Sequence, residues 1–199
     1  MKAVEDKGET PDRRHAAPTV NRPDLLAGGS DLLFRQFVHD ALAFASRLQA
    51  VRDGFARLID LTGTQYTILI SIYHLEFEQR VGITTVAEHL HLSGTFVTTE
   101  TNKLEARGLV TKTRDADDRR RINLRTTGEA RARLSRLASV QSHVNDVHFG
   151  PLTAEDFELM RYIMPDLVGS TDRALRLLDA IPSLDDGPLP AGAIRETSP

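Results

Sequence analysis

Arginine and aspartate crowd into "RDADDRRRINLR", residues 114–125, where five arginines and three aspartates share twelve positions. Clustered guanidinium groups grip phosphates and carboxylates through paired N–H donors, and aspartates among them either neutralise the cluster or hold single arginines in place. The stretch is therefore either a self-neutralised, solvated hairpin or a tool for touching something acidic. The chain around it is not basic, with a formal net charge of -3. Residues 103–136 hold eleven Lys/Arg against five Asp/Glu, a net of +6, while the rest hold fourteen against twenty-three, a net of -9. One basic region in an otherwise acidic chain is the electrostatic prerequisite for meeting a phosphate backbone.

Other chemistries find little support. The chain has no cysteine, which removes disulfides, thiolate nucleophiles, cysteine-zinc sites and thiol redox switches. It contains no Walker phosphate loop, GxGxxG, HExxH or GxSxG. The cluster "HLEFE" (74–78) and the pair His89/His91 carry metal-ligating groups, but a helix spreads His89 and His91 to different faces. No enzyme, metal or cofactor is expected. The longest apolar run, "YTILISIY" (66–73), is far too short for a bilayer core of about 30 Å, and "MKAVEDKGET" at the start lacks a hydrophobic signal core. With 40% hydrophobic and 27% charged residues, the chain reads as an ordinary globular protein expected in the cytoplasm, with no membrane partner.

The elements that must position the basic stretch follow from periodicity. Residues 1–29 and 182–199 are rich in proline and poor in apolar periodicity, and read as flexible arms. Ser30 is a candidate N-cap for a helix running to about Asp60, in which Phe34, Phe37, Ala41, Phe44, Leu48, Val51, Phe55 and Leu58 keep 3-4 spacing. Near the other end, Thr153 can cap a helix with the same spacing from Phe157 to Leu178, and Pro165 should kink or split it. A third long helix starts at Thr126 or Thr127, with Thr126 and Glu129 fitting a capping box, and carries Leu134, Leu137, Val144 and Val147. These helices form either a monomeric bundle or a dimer whose terminal helices interdigitate. The dimer accounts better for the surplus of apolar surface.

Residues 62–126 read as three short helices and a hairpin. "TGTQYTILISIYHL" (62–75) puts Tyr66, Leu69, Ile70 and Tyr73 on one face, and "ITTVAEHLHLS" (83–93) turns Ile83, Val86, Ala87 and Leu90 inward. Ser93 then caps "GTFVTTETNKLEARGL", with Val97, Thr101 and Leu104 on its buried side and Gly108 at its end. Two helices joined by a tight turn form a helix-turn-helix, whose second helix can enter the DNA major groove. "LVTKTR" (109–114) and "RINLR" (121–125), with Ile122 and Leu124 inward, close a hairpin around "DADDRR". A hairpin directly after a helix-turn-helix makes a winged helix, and an arginine at the wing tip can reach the negative potential of the minor groove.

"VAEHLHLS", "NKLEARGLV" and "DADDRRRINLRTT" closely resemble the winged-helix segment of the MarR (multiple antibiotic resistance regulator) family of bacterial transcription factors. The order of flanking helices fits that family from residue 31 to 180. The resemblance implies a mainly α fold with a small β-hairpin wing: a winged helix-turn-helix at 62–126 and long N- and C-terminal dimerisation helices at 30–61 and 127–181. It implies a homodimer gripping a pseudo-palindromic double-stranded DNA operator, usually as a repressor. By position, Arg119 and Arg120 would be the wing-tip arginines, flanked by Arg114 and Arg121, and Asp118 would hold an arginine by a charge-assisted pair. Ser93, Thr95, Thr98 and Thr99 would line the groove-facing side of the recognition helix, with Lys103 further along for phosphate. The resemblance also implies a small-molecule effector, such as an aromatic acid or its thioester, in a pocket to which His39, Phe44, Arg47 and Tyr66 could contribute.

Departures from the family pattern qualify this picture. Gly94 and Thr99 stand where arginine or another large polar residue is common. Glu100 puts a carboxylate on a helix meant for a polyanion, so it either turns away from DNA or accepts from a cytosine amino group. His91 stands where the turn commonly has glycine, a position that invites a left-handed backbone and local strain. The rival reading is a winged-helix module that binds protein and not DNA, which the weakly basic recognition helix favours and the arginine-bearing wing opposes.

Overall fold

The computed structural model describes residues 17–114 and 122–181. In chain order these form α1 (Leu32–Leu58), α2 (Gly63–Leu75), α3 (Ile83–Leu90), α4 (Gly94–Ala106), β1 (Val110–Arg114), β2 (Ile122–Thr126), α5 (Gly128–His148) and α6 (Ala154–Asp179). The chain is mainly helical with one antiparallel hairpin, in which Val110 faces Thr126 and Arg114 faces Ile122. It divides into two compact units between Gln141 and Ser142, so α5 contributes to both.

The first unit is built around α2, which packs against α1, α3, α4 and β2. Thr62 starts it with a reciprocal cap, accepting from the Gln65 amide while the Gln65 side chain accepts from the Thr62 amide. Because α2 has neighbours on several sides, its buried apolar set is Tyr66, Ile68, Leu69 and Ile72; Ile70 and Tyr73, expected on one face with Tyr66 and Leu69, are only half-buried. Val86 of α3, Val97, Thr101 and Leu104 of α4, Leu109, and Leu124 of β2 complete a fully buried core. Each such aliphatic side chain stabilises the fold by about 1.5–3 kcal/mol. Ile122 departs from the expected inward position: it is 38% exposed at the far end of β2, beyond the reach of the core that covers Leu124.

Local capping differs from expectation at α1 and decides between two expected starts at α5. Ser30 Oγ accepts from the Leu32 amide at 3.3 Å, but the residue preceding α1 is Asp31. Asp31 turns its carboxylate back to the chain before it, accepting from the Thr19 amide (2.6 Å), the Thr19 hydroxyl (2.8 Å) and Arg35 Nε (2.8 Å). Arg35 also donates to the Ala17 carbonyl at 2.9 Å. Residues 17–29, expected as part of a loose arm, are thereby tied to α1 through Ala17 and Thr19. At α5 the cap is Thr127, which accepts from the Ala130 amide at 3.1 Å, because Thr126 is engaged elsewhere and Glu129 pairs with Arg133 at 2.7 Å.

The second unit contains the last turns of α5 and the whole of α6. The Phe149 amide donates to Asn145 O at 2.8 Å and the Leu152 amide to Phe149 O at 3.0 Å. Gly150 lies so close to the end of α5 that an added Cβ would sit 2.9 Å from the Asp146 carbonyl oxygen. Thr153 and Asp156 cap α6 reciprocally. Pro165 does not split α6, which continues to Asp179. Phe149, Leu152, Phe157, Met160 and Met164 border an apolar cavity of about 560 Å³. No residue of α6 is buried, and of α1 only Phe55 and Ala56 are, which leaves Leu33, Phe37, Leu42, Tyr162 and Leu178 more than half exposed. Among the described residues no helix is long and apolar enough to cross a membrane.

Candidate nucleic-acid interface

The helix-turn-helix is closed by a single left-handed residue. His91 follows the last residue of α3, with φ 52° and ψ 42°, and the Leu92 amide returns to the Ala87 carbonyl at 2.9 Å. A non-glycine residue in this region is strained, which is the feature anticipated at this turn. Ser93 then caps α4 by accepting from the Phe96 amide at 3.2 Å.

On α4 the inward residues are Val97, Glu100, Thr101 and Leu104, and the outward ones include Thr95, Thr98, Thr99 and Asn102. Glu100 resolves the first of its two alternatives: it is 6% exposed, accepts from Gln65 Nε2 at 3.3 Å, and pairs with Lys103 Nζ at 2.6 Å. The outward face is therefore free of that carboxylate. Lys103 is half exposed and its ammonium is engaged by Glu100. The hydroxyls of Thr98 and Thr99 donate to the carbonyls of Gly94 (2.8 Å) and Thr95 (3.1 Å) one turn back. Asn102 was missed by reading the sequence, although it falls on the Thr95–Thr99 stripe at i+7 and i+3; its Oδ1 accepts from Lys112 Nζ of β1. Burial lowers the Lys112 pKa, with Glu105 at 4.0 Å opposing that shift.

The hairpin is fixed at its base. Glu76, just beyond α2, accepts from the Thr126 amide (2.8 Å) and the Thr126 hydroxyl, and Arg131 Nε lies 3.8 Å from the same carboxylate. Arg131 donates in turn to the Thr126 hydroxyl (3.1 Å) and carbonyl (2.7 Å). The Leu124 amide donates to Val81 O at 2.7 Å, which joins β2 to the segment before α3. Arg114 is exposed at the end of β1. Asp118, Arg119, Arg120 and Arg121 lie outside the described residues.

The four candidate effector residues are dispersed in character. His39 and Arg47 are exposed on α1, with Arg47 donating to the Ala43 carbonyl at 3.0 Å, and Phe44 is half-buried. Tyr66 is a core residue, 1% exposed, edge-on to Phe55 at 6.3 Å, with Arg52 5.3 Å above its ring. Its hydroxyl accepts from Gln141 Nε2 at 2.6 Å, and burial raises its pKa against the opposing Arg52 charge. Among the described residues no three His, Asp or Glu side chains come together as metal ligands.

These features define a winged helix-turn-helix. Residues 61–122 match the model of the MarR family. Solved structures share the fold. The MarR protein from Peptoclostridium difficile is 16% identical with a TM-score of 0.58, over 69% of this chain and 88% of that one. The DNA complex of MepR from S. aureus is 19% identical with a TM-score of 0.54, over 75% and 99%. The PcaV transcriptional regulator from Streptomyces coelicolor, solved with its natural ligand, is 26% identical with a TM-score of 0.51, over 64% and 90%. No curated protein sequence matches the chain significantly.

Proposed function

We propose that this chain is a DNA-binding transcriptional regulator of the repressor type, acting in the cytoplasm as a homodimer on a pseudo-palindromic operator. α4 would enter the major groove and the arginine-bearing hairpin tip the minor groove. The observation that carries this reading is the outward face of α4, where short polar side chains follow a serine-capped N-terminus and Glu100 is turned into the core. A helix N-terminus also presents backbone N–H groups and partial positive charge to phosphate. The unburied apolar stripes of α1 and α6 support the homodimer, since a second copy would cover them.

A small aromatic acid or its thioester would act as effector, with His39, Phe44, Arg47 and Tyr66 contributing to its pocket. Its binding would change the separation of the two recognition helices and weaken docking on half-sites about one helical turn apart. That PcaV was solved with a natural ligand supports looking for one. A thermal-shift screen with aromatic acids and thioesters tests this part separately.

The decisive experiment is binding to DNA flanking the chain's own gene, measured across salt. A protein that neutralises several phosphates loses affinity steeply as salt rises, with a log–log slope of about -0.9 per phosphate. Replacing Arg119 and Arg120 with alanine should weaken binding at least about tenfold and flatten that slope, with the dimer intact by light scattering. Absence of binding even at low salt would leave the protein-interaction module as the better reading. Unchanged affinity in the double variant would make the hairpin a bystander.

A further inference from the structure

The outward face of α4 is more constrained than its threonines and amide suggest. A hydroxyl can donate once, and the Thr98 and Thr99 hydroxyls already donate to the Gly94 and Thr95 carbonyls, which only accept. What these two side chains have left to offer is lone pairs and a methyl group each. Asn102 is constrained in the opposite sense. A lysine ammonium has donors only, so its contact fixes the carboxamide oxygen toward Lys112 and the NH₂ group away from it. Lys112 is itself held in place: its side chain is 11% exposed and its other neighbour is Glu105, one turn further along α4. The Asn102 amide protons have no acceptor among the described residues, and the residue is exposed beside Thr95 and Thr99.

We infer that Asn102 is a base-reading residue of donor-only character, oriented by Lys112. Its NH₂ group meets an acceptor edge in the major groove, the adjacent O6 and N7 of guanine or the O4 of thymine, whereas adenine offers it N7 alone and sets the N6 amino group, another donor, beside it. Thr98 and Thr99 meet the amino groups of cytosine or adenine, or a thymine methyl, as acceptors and apolar surfaces. Asparagine usually recognises adenine by two hydrogen bonds, donating to N7 and accepting from N6. That pairing is closed to Asn102 while its oxygen belongs to Lys112, so adenine keeps only the bond to N7 and falls behind guanine, which offers two acceptors, and loses the advantage an unrestrained asparagine gives it. Lys112 is a positioning residue here, acting through Asn102 and not on DNA. This inference rests on the DNA-binding function proposed above.

The test is selection of binding sites from a randomised duplex library with the full chain, followed by titration of duplexes carrying single base-pair changes. The wild type should enrich a site with guanine or thymine at one position per half-site. Asn102→Ala should lose about tenfold discrimination at that position and keep the others, a loss worth one good hydrogen bond to a base. Lys112→Met, which keeps the length of the side chain and removes its donor, should shift preference at that same position toward adenine. Thr99→Val should act at a different position, and it keeps the inference testable should the Lys112 variant fold poorly. Uniform weakening of all sequences by Asn102→Ala would assign the amide to a phosphate and overturn the proposal. So would an unchanged preference in folded Lys112→Met. A wild type that binds DNA but is indifferent at every position would refute base reading alone, whereas one that binds no DNA would refute the proposed function and this inference with it.

Discussion

Removing the Glu76 carboxylate should loosen the base of the hairpin more than any surface substitution on the hairpin itself. Glu76 Oε2 accepts the Thr126 amide at 2.8 Å and Oε1 the Thr126 hydroxyl, and Thr126 is only 2% exposed, so water cannot replace either bond. A hydrogen bond to a charged acceptor contributes about 1.5–3 kcal/mol, and a buried N–H left without a partner costs about 1–3 kcal/mol. Relief of the carboxylate's own desolvation offsets part of this. Glu76→Ala should therefore destabilise the chain by about 3 kcal/mol, and Thr126→Val, which keeps the amide bond, by about 1.5 kcal/mol. Because the two changes share the hydroxyl contact, their effects should not add, and the double variant should fall short of the sum by about 1 kcal/mol. Urea unfolding at one fixed protein concentration measures all three, since association would otherwise shift the midpoint. Hydrogen exchange should show the loss concentrated at Leu124 and Thr126. A Glu76→Ala midpoint within about 0.5 kcal/mol of the wild type, or strict additivity of the pair, would refute the clamp.

Three further outcomes follow from local geometry. The Thr19 amide, the Arg35 guanidinium and the Thr19 hydroxyl hold the Asp31 pKa down to about 2 from its ordinary 3.8. A lowered carboxylate pKa contributes stability above the ordinary value and loses it as pH falls, so protection of the Thr19 amide should be full above about pH 4 and vanish toward about pH 2. An Asp31 side-chain titration by NMR with a midpoint near 3.8 would remove that linkage. Gly150→Ala would bring a Cβ to 2.9 Å from the Asp146 carbonyl and should cost about 1–3 kcal/mol, read as a lowered Tm; an unchanged Tm would show that the turn yields freely. His91→Val places a β-branched residue at φ 52° and should cost about 1–2 kcal/mol in the same assay, with no loss indicating that the turn has another conformation available.

What the sequence could reveal was local. Ser93, Thr62 with Gln65, and Thr153 with Asp156 cap helices through contacts three residues away, so their roles stand in the chain order itself. Gly108 at φ +68° and His91 at φ 52° mark helix ends for the same reason. What the sequence concealed depends on distant partners. Thr126 looked like a helix cap until Glu76, fifty residues earlier, engaged it. The direction of Glu100 was open because Gln65, its buried partner, lies thirty-five residues away. The buried face of α2 is not legible from period alone because that helix is apolar on nearly all sides, so spacing does not choose between Ile68, which is buried, and Ile70, which is half-buried. Asn102 escaped notice because its significance comes from Lys112, across the α4–β1 turn.

Charge on the basic segment reads differently once its partners are known. Of its cations, Lys103 pairs with Glu100, Arg107 with Asp60 at 2.6 Å, Arg131 with Glu76, and Arg133 with Glu129, while Lys112 is engaged by Asn102 and Glu105. The Glu100 and Glu76 carboxylates in these pairs are largely buried and those of Asp60, Glu105 and Glu129 are not, but each pair brings a carboxylate beside a cation that would otherwise face a phosphate. Among the described residues the segment retains Arg114 and Arg125 on the hairpin and Arg136 on α5 outside any of these ion pairs. The surplus available to a polyanion is thus smaller than a count of arginines implies, and among the described residues two of its three members are on the hairpin. Long-range attraction should accordingly be modest and depend on a few side chains, so substituting Arg119 and Arg120 should reduce the salt slope by a large share, whereas substituting Arg107 or Arg133 should leave it unchanged.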